Sequence, residues 1–293
     1  MDQAVGLREK KDGQWDNHRP QSLVLSSDPV RVMAVSSGKG GVGKSNVVVN
    51  LAVAFDRMGK RVLIMDADLG LANIDLLLGI SPKQNIGHVL EGQKSLREVL
   101  VKGPGRIRVM PASSGVQKLT QLSDDQKLLL LEILDELEAE VDILLIDTGA
   151  GISDTVLYFN LAAQEKIVVV TPEPTSLTDA YALIKVLYTR HGERHFKILV
   201  NSVEDEKRGK AIFAKISKVA DHFLDGISLD YLGCIPYDAN MSKAIIQQKP
   251  FIDLFPQAAA AKAFMMLAHR IQKSPPHVNH GTVQFFWKRL LKA

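Results

Sequence analysis

The stretch Gly38-Lys39-Gly40-Gly41-Val42-Gly43-Lys44-Ser45, entered from the apolar run Arg31 to Val35 and left through Asn46 to Ala54, constrains this chain more than any other feature. Glycines between an apolar run and a helical pattern let backbone N–H groups point inward around a polyphosphate, while the following helix offers its positive end. In that setting Lys44 reaches the β- and γ-phosphates, and the Ser45 hydroxyl is a ligand for Mg2+. Lys39 is a second cation in the same loop. It cannot occupy the space that Lys44 fills, so it is expected to point away from its own nucleotide, toward another anion.

Around the loop, short β-branched runs alternate with longer helical patterns. Arg31 to Ser36, Arg61 to Met65, Arg106 to Met110, Val141 to Ile146, Lys166 to Thr171, Phe196 to Val200 and Tyr231 to Ile235 read as strands. Several are almost continuously apolar, as strands covered by helices on both faces are. Asp124 to Glu140 and Ser176 to His191 read as helices, the first with a cap at Ser123 or Asp124. This alternation predicts an α/β fold: one doubly wound, mostly parallel sheet with nucleotide at the carboxyl ends of its strands. The 293 residues show no composition break, so one domain over 29–273 is expected, with a polar segment 1–28, a Pro-rich linker 274–281 and a terminal helix 282–293. A formal charge of +3 is too small for wholesale wrapping by nucleic acid. The single cysteine, Cys234, excludes an internal disulfide and a multi-cysteine metal cage. Met1 to Pro20 lacks an apolar core, so it does not read as a signal peptide and a cytosolic protein is expected.

Two further acidic positions belong to the phosphate chemistry. Asp147 follows the most apolar strand, where a carboxylate usually holds Mg2+ directly or through water. The next residue is Thr148, which cannot act as a base, so slow hydrolysis and a switch are expected rather than a motor. Asp66 and Asp68 follow the second strand at alternate positions. Paired carboxylates beside phosphate need a metal or a lysine to offset them. That places Asp66 near the metal and Asp68 toward the attacking water; two helix-capping aspartates are the plainer alternative. No Asn-Lys-x-Asp sequence occurs, so ATP is favoured over GTP.

The loop resembles the deviant Walker A motif of the MinD/ParA ATPases. That resemblance spans roughly Arg31 to Gln272. It implies that Lys39 crosses a two-fold axis to the partner's nucleotide, so that ATP joins two chains, and that Asp68 is the hydrolytic aspartate. It also implies adenine-side contacts from Asn201, Pro236, Tyr237 and Asp238. Within the group, Asp66-Ala-Asp-Leu-Gly-Leu-Ala-Asn-Ile-Asp75, the run Thr171 to Lys185 and Gly233-Cys-Ile-Pro-Tyr-Asp238 look like the flagellar-number regulators FlhG/FleN. Asp2 to Arg8 looks like their segment that activates the GTPase FlhF, with Gln3, Leu7 and Arg8 as contacts. Flagellar switch-ring proteins and FleQ/FlrA-type activators are the other partners so implied.

The chain end is legible by itself. On a helix from Thr282 to Ala293, Val283, Phe286, Trp287, Leu290 and Leu291 share one face, while Lys288, Arg289 and Lys292 lie elsewhere. Such a basic amphipathic helix binds an anionic membrane weakly as one copy and firmly as two. Packing of that face on its own domain is the alternative. A ParA-type DNA partition protein needs clustered cations. The best cluster, Lys207-Arg208-Gly209-Lys210, follows Glu204-Asp205-Glu206 and is expected to be a solvated surface turn, so direct nucleic-acid binding is not expected. An electron-transfer ATPase like the nitrogenase iron protein needs a cysteine pair, which Cys234 alone does not supply.

Overall fold

The computed structural model describes residues 30–68, 73–111, 137 and 140–274. Its strands are β1 (Arg31–Ser37), β2 (Val62–Ala67), β3 (Val101–Lys102), β4 (Arg108–Pro111), β5 (Ile143–Ala150), β6 (Glu165–Val170), β7 (His195–Val203) and β8 (Ser228–Pro236). They form one sheet in the order β3-β4-β2-β5-β1-β6-β7-β8. Every pairing is parallel except β3 with β4. The helices are α1 (Lys44–Arg57), α2 (Ile74–Leu78), α3 (Ile86–Leu90), α4 (Leu96–Val99), α5 (Asp154–Ala162), α6 (Pro174–His191), α7 (Glu206–Phe223), α8 (Asn240–Ile246), α9 (Phe251–Leu254) and α10 (Ala259–Lys273).

Both faces of the sheet are covered, which is why β2 and β6 are buried at every residue. Successive side chains alternate between the faces. Met33 and Val35 of β1 join α1, α9 and α10 on one side, around Phe55, Phe251 and Phe264. Val32 and Ala34 join α3, α4 and α5 on the other, around Phe159. On that second side, Val168, Val170 and Ile198 pack under α6 and α7. Each fully buried phenylalanine contributes about 1.5 to 3 kcal/mol, so the layers are held from both sides.

The seven expected strands are all present. Two expectations need correction. β5 does not stop before Asp147 but runs on to Ala150, because Asp147 and Thr148 stay in register with Asp66 and Ala67 of β2, and Ala150 pairs with Ser37. Lys207 to Lys210 form the opening turns of α7 rather than a loose surface turn: Asp205 accepts the Arg208 N–H at 2.7 Å and caps the helix. Gly209 in that turn is buried, and a Cβ there would stand 2.6 Å from the Tyr231 hydroxyl. The antiparallel β3 was not foreseen, being only two residues long. Most of the expected helix Asp124 to Glu140, the linker beyond Ser274, the segment holding Gln3, Leu7 and Arg8, and the helix holding Val283, Phe286, Trp287, Leu290 and Leu291 lie outside the described residues. Among the described residues no helix is long and apolar enough to cross a membrane.

Candidate nucleotide site

The loop from Gly38 to Gly43 joins the carboxyl end of β1 to α1, which opens at Lys44 with Gly43 as its N-cap and no side-chain cap. Gly41 and Gly43 have φ of 80° and 84°, a left-handed backbone that turns N–H groups into the loop. The uncapped N–H groups of α1 remain available to an anion there. Gly38 serves a different end. A Cβ on it would lie 2.0 Å from the backbone carbonyl carbon of Asp179, so its side-chain-free surface lets α6 pass against the loop. A Cβ on Gly40 would meet only open space. The loop is braced from outside: Asn201 on β7 donates to the Val42 carbonyl at 2.8 Å, and the Ser37 hydroxyl donates to the Lys39 carbonyl at 2.9 Å. Asn46, in the first turn of α1, accepts from the Asn50 amide at 2.8 Å.

The charged centre is buried. Lys44 Nζ lies 2.6 Å from Asp147 Oδ1. The Ser45 hydroxyl stands close enough to Asp147 to favour its charged form. Burial pushes the Asp147 carboxyl up, while Lys44 and Ser45 pull it down. Its second oxygen, Oδ2, is buried without a hydrogen-bond partner in the structure. On the neighbouring strand, Asp66 stands in register with Asp147. Burial first, and Asp147 second, push the Asp66 carboxyl up to about 7, against the N–H groups of Asp68 and Ile74 that it accepts. Its bond to Ile74, at 3.4 Å, fastens the start of α2, so part of the helix-capping alternative holds for this residue. Asp68 comes within 3.7 Å of where a Gly149 Cβ would stand, facing the same centre.

Two carboxylates, a hydroxyl and an unpartnered carboxylate oxygen at one point are hard oxygen donors with excess negative charge, which fits a small divalent cation. Ser45, Asp66 and Asp147 would hold Mg2+ there, with chemistry limited to offsetting phosphate charge. Thr148 is fully buried and its hydroxyl lies 3.2 Å from the Val35 carbonyl and 3.1 Å from the Ser36 hydroxyl. Those contacts tie Thr148 to β1 beneath the loop.

Lys39 is turned out of the loop. Its Nζ lies 2.7 Å from Glu173 Oε2 and donates to the Thr175 hydroxyl at 3.1 Å. Glu173 is the N-cap residue of α6, so the lysine rests on its own chain at a half-exposed pair. Sequence reasoning quoted Thr171 to Lys185 without assigning those two partners; an acidic residue just before a proline-opened helix beside the loop was the available signal. The buried Ser36 and Asn160, bonded at 3.0 Å beneath the loop, were missed for want of any local pattern. At the other end of the site, Asn201 pairs with Ile235 and Val203 with Pro236, so β7 and β8 bring Asn201 and Pro236 to one edge. Tyr237 donates its N–H to the Val203 carbonyl and leaves its ring 70% exposed, while Asp238 accepts the Asn240 N–H at 2.8 Å.

A left-handed phosphate loop on the first strand and a lysine ion-paired to a buried aspartate of β5 mark a nucleotide-binding protein, and comparison with known proteins gives its kinship. The ParA family model, described as NUBPL iron-transfer P-loop NTPase, matches residues 29–272. The chain belongs to the ParA/MinD family of P-loop NTPases. It is 46% identical to the antiactivator FleN of Pseudomonas aeruginosa over 91% of this chain and 95% of that protein. It is 32% identical to the flagellum site-determining protein YlxH of Helicobacter pylori, over 93% of this chain and 94% of that protein. MinD from Pyrococcus horikoshii, solved with Mg-ADP, superimposes with a TM-score of 0.66 at 26% identity, covering 83% of this chain and 96% of that one. MinD in the Aquifex aeolicus MinC:MinD complex gives a TM-score of 0.67 at 26% identity, covering 86% of this chain and 100% of that one.

Proposed function

We propose that this chain is a Mg-dependent ATPase switch that regulates flagellar number or placement, dimerising around ATP and cycling between cytoplasm and membrane. The likeness to the antiactivator FleN and to a flagellum site-determining protein, each along nearly the whole chain, supports the flagellar role. The observation that carries the switch is Lys39. It sits in a phosphate loop yet rests on Glu173, away from the pocket that Lys44 occupies. A cation held outward by one exposed pair, worth about 0 to 1 kcal/mol, is readily given up to a stronger anion. The triphosphate of a second subunit is such an anion.

In this reading Lys44 and the uncapped start of α1 bind the phosphates, and Ser45, Asp66 and Asp147 hold the metal. Asp68 orients water, and Thr148, tied to its own backbone surroundings, cannot speed the step. Asp147, which pairs with Lys44, would be one of the residues holding the metal, whose charge would offset that carboxylate and leave Lys44 available to phosphate. The carboxyl-terminal residues 282–293 carry the membrane contact, and Met1 to Pro20 carries the contact with the GTPase FlhF.

Light scattering of Asp68→Ala with and without Mg-ATP tests the proposal. The expected result is a doubling of mass only with Mg-ATP, with nucleotide binding intact and hydrolysis lost. A protein that stays single in saturating Mg-ATP sinks the dimer switch, and normal hydrolysis by Asp68→Ala removes the assignment of that carboxylate. A peptide of Met1 to Pro20 is expected to raise the GTPase rate of FlhF; no stimulation removes that partner.

A further inference from the structure

The amino-terminal edge of the sheet, opposite the phosphate loop, holds a cavity of about 560 Å3 whose lining includes Arg61, Arg97, Lys102, Arg106, Arg108 and Glu140. These residues come from far apart in the chain. Arg61 precedes β2, Arg97 lies on α4, Lys102 on β3, Arg106 and Arg108 at the start of β4, and Glu140 just before β5. The cations keep contact with water: Arg97 is 66% exposed, Arg106 56%, Arg61 41% and Arg108 40%.

Among the described residues that line the cavity, five are cations and one, Glu140, is an anion. Glu140 pairs with both Arg97 and Arg108, Asp142 with Arg61, and Asp56 with Arg106. Arg108 above all, with Arg97 and Arg61, holds the Glu140 carboxyl below the usual carboxylate range. Exposed pairs of this kind are worth about 0 to 1 kcal/mol, so Arg97, Arg106 and Arg108 can exchange their carboxylates for a stronger anion. Forked guanidinium donors suit a phosphate better than a lone ammonium does.

Position selects the kind of phosphate. Arg31, at the amino end of β1, donates to the carbonyl of Ile271, so α10 ends at the same edge. Val62, at the start of β2, lines the cavity, and β1 stands two strand spacings, about 10 Å, from β2. Ser274, the last described residue, therefore leads toward the basic amphipathic run 282–293 from the same edge of the sheet as this cavity.

We propose that the cavity takes the phosphate of an anionic phospholipid headgroup and forms a second membrane contact, within the folded domain, in addition to the carboxyl-terminal run 282–293. The placement of a bilayer at this edge rests on the membrane reading given above. Arg97 and Lys102 grip the phosphate from the rim, Arg106 and Arg108 support it, and Glu140 is the internal anion that the headgroup displaces.

Sedimentation of the full chain with phosphatidylcholine vesicles, with and without phosphatidylglycerol, tests this in three variants under Mg-ATP. R97E/K102E is expected to lower partition onto phosphatidylglycerol vesicles about thirtyfold, at about fivefold per lost cation, with no change in ATP binding. Glu140→Gln is expected to raise it severalfold, a gain that damage to the fold does not produce. Trp287→Glu is expected to weaken binding to both kinds of vesicle. If R97E/K102E binds phosphatidylglycerol vesicles as the parent does, or Glu140→Gln binds them less, the cavity assignment is overturned. Loss with Trp287→Glu alone leaves the terminal helix as the only anchor. Loss with R97E/K102E alone keeps the cavity and removes the helix. If the cavity variant instead abolishes binding of inorganic phosphate or of DNA while vesicle partition is unchanged, the ligand is a free anion or a nucleic acid and the lipid assignment falls.

Discussion

The two ends of the same sheet treat buried charge in opposite ways. At the amino end, Glu165 is buried on β6 and bonded by both Arg31 and Lys197, while the nearby Lys166 pairs with Glu193 at 2.6 Å. Glu165, Glu193, Glu140 and Asp142 each meet a cation there, and the Glu165 contacts fasten β1, β6 and β7 to one another. At the carboxyl end, Asp66 and Asp147 stand in register on adjacent strands, Lys44 pairs with Asp147, and one oxygen of Asp147 has no partner in the structure. The first arrangement holds the fold together; the second leaves negative charge uncompensated, which is what a site for metal and phosphate requires.

Breaking the amino end is expected to have the largest effect. Glu165→Gln leaves Arg31 and Lys197 buried without their carboxylate, and urea denaturation should register a loss of about 3 to 5 kcal/mol. Nucleotide affinity is expected to be unchanged, because the two ends share no charged contact; a matching loss of nucleotide affinity would show the two ends to be coupled.

The carboxyl end is expected to respond to pH instead. Asp66 is raised from 3.8 to about 7 in the folded chain. Between those values the folded state holds a proton that the unfolded state has lost, so its contribution to stability is complete below about pH 4 and declines as pH rises through 7. Nucleotide-free protein should lose about 1.4 kcal/mol per pH unit across that window relative to Asp66→Asn, on the order of 4 kcal/mol in all. Parallel stability curves for the two proteins would mean that Asp66 is not the strained carboxyl.

Lys44→Ala sharpens the contrast from the ligand side. Mg-ATP affinity measured by calorimetry is expected to fall about a hundredfold or more, equivalent to about 2.7 kcal/mol. Retained affinity would place phosphate recognition in the loop backbone alone. The smallest effect belongs to Glu173→Gln, which releases Lys39. Stability is expected to change by less than about 1 kcal/mol, and ATP-dependent dimerisation of the Asp68→Ala protein to tighten by at most about fivefold. Weaker dimerisation would mean that Glu173 itself serves the partner subunit.

Much of the phosphate end was legible because its chemistry is local. Gly41, Gly43, Lys44 and Ser45 lie within five consecutive residues, and their spacing alone specifies a strand, a turn and a helix start. Asp66 and Asp147 were legible through the apolar runs that precede them, since a carboxylate that interrupts a continuously buried strand has few other uses. The role of Asn201 as a brace on Val42 was not, since the two are brought together only by the β7 crossover. Gly38 shows the same limit. Its glycine looked like part of a phosphate cradle, and only the approach of α6 reveals that a side chain there would collide with Asp179. The end of β5 was misplaced because Thr148, Gly149 and Ala150 have no strand signature of their own; pairing with β1 and β2 on both sides keeps them extended.

The order of residues by itself determined the layered α/β architecture and the phosphate loop, because hydrophobic periodicity and glycine conformation act within a few neighbours along the chain. The tertiary structure alone decided which charges are satisfied. It joined Glu165 to Arg31 and Lys197, gathered Arg61, Arg97, Lys102 and Arg108 around one cavity, and laid Lys39 on Glu173. Electrostatic energy depends on distance through space, and parallel crossovers place residues far apart in sequence within a few ångströms of one another.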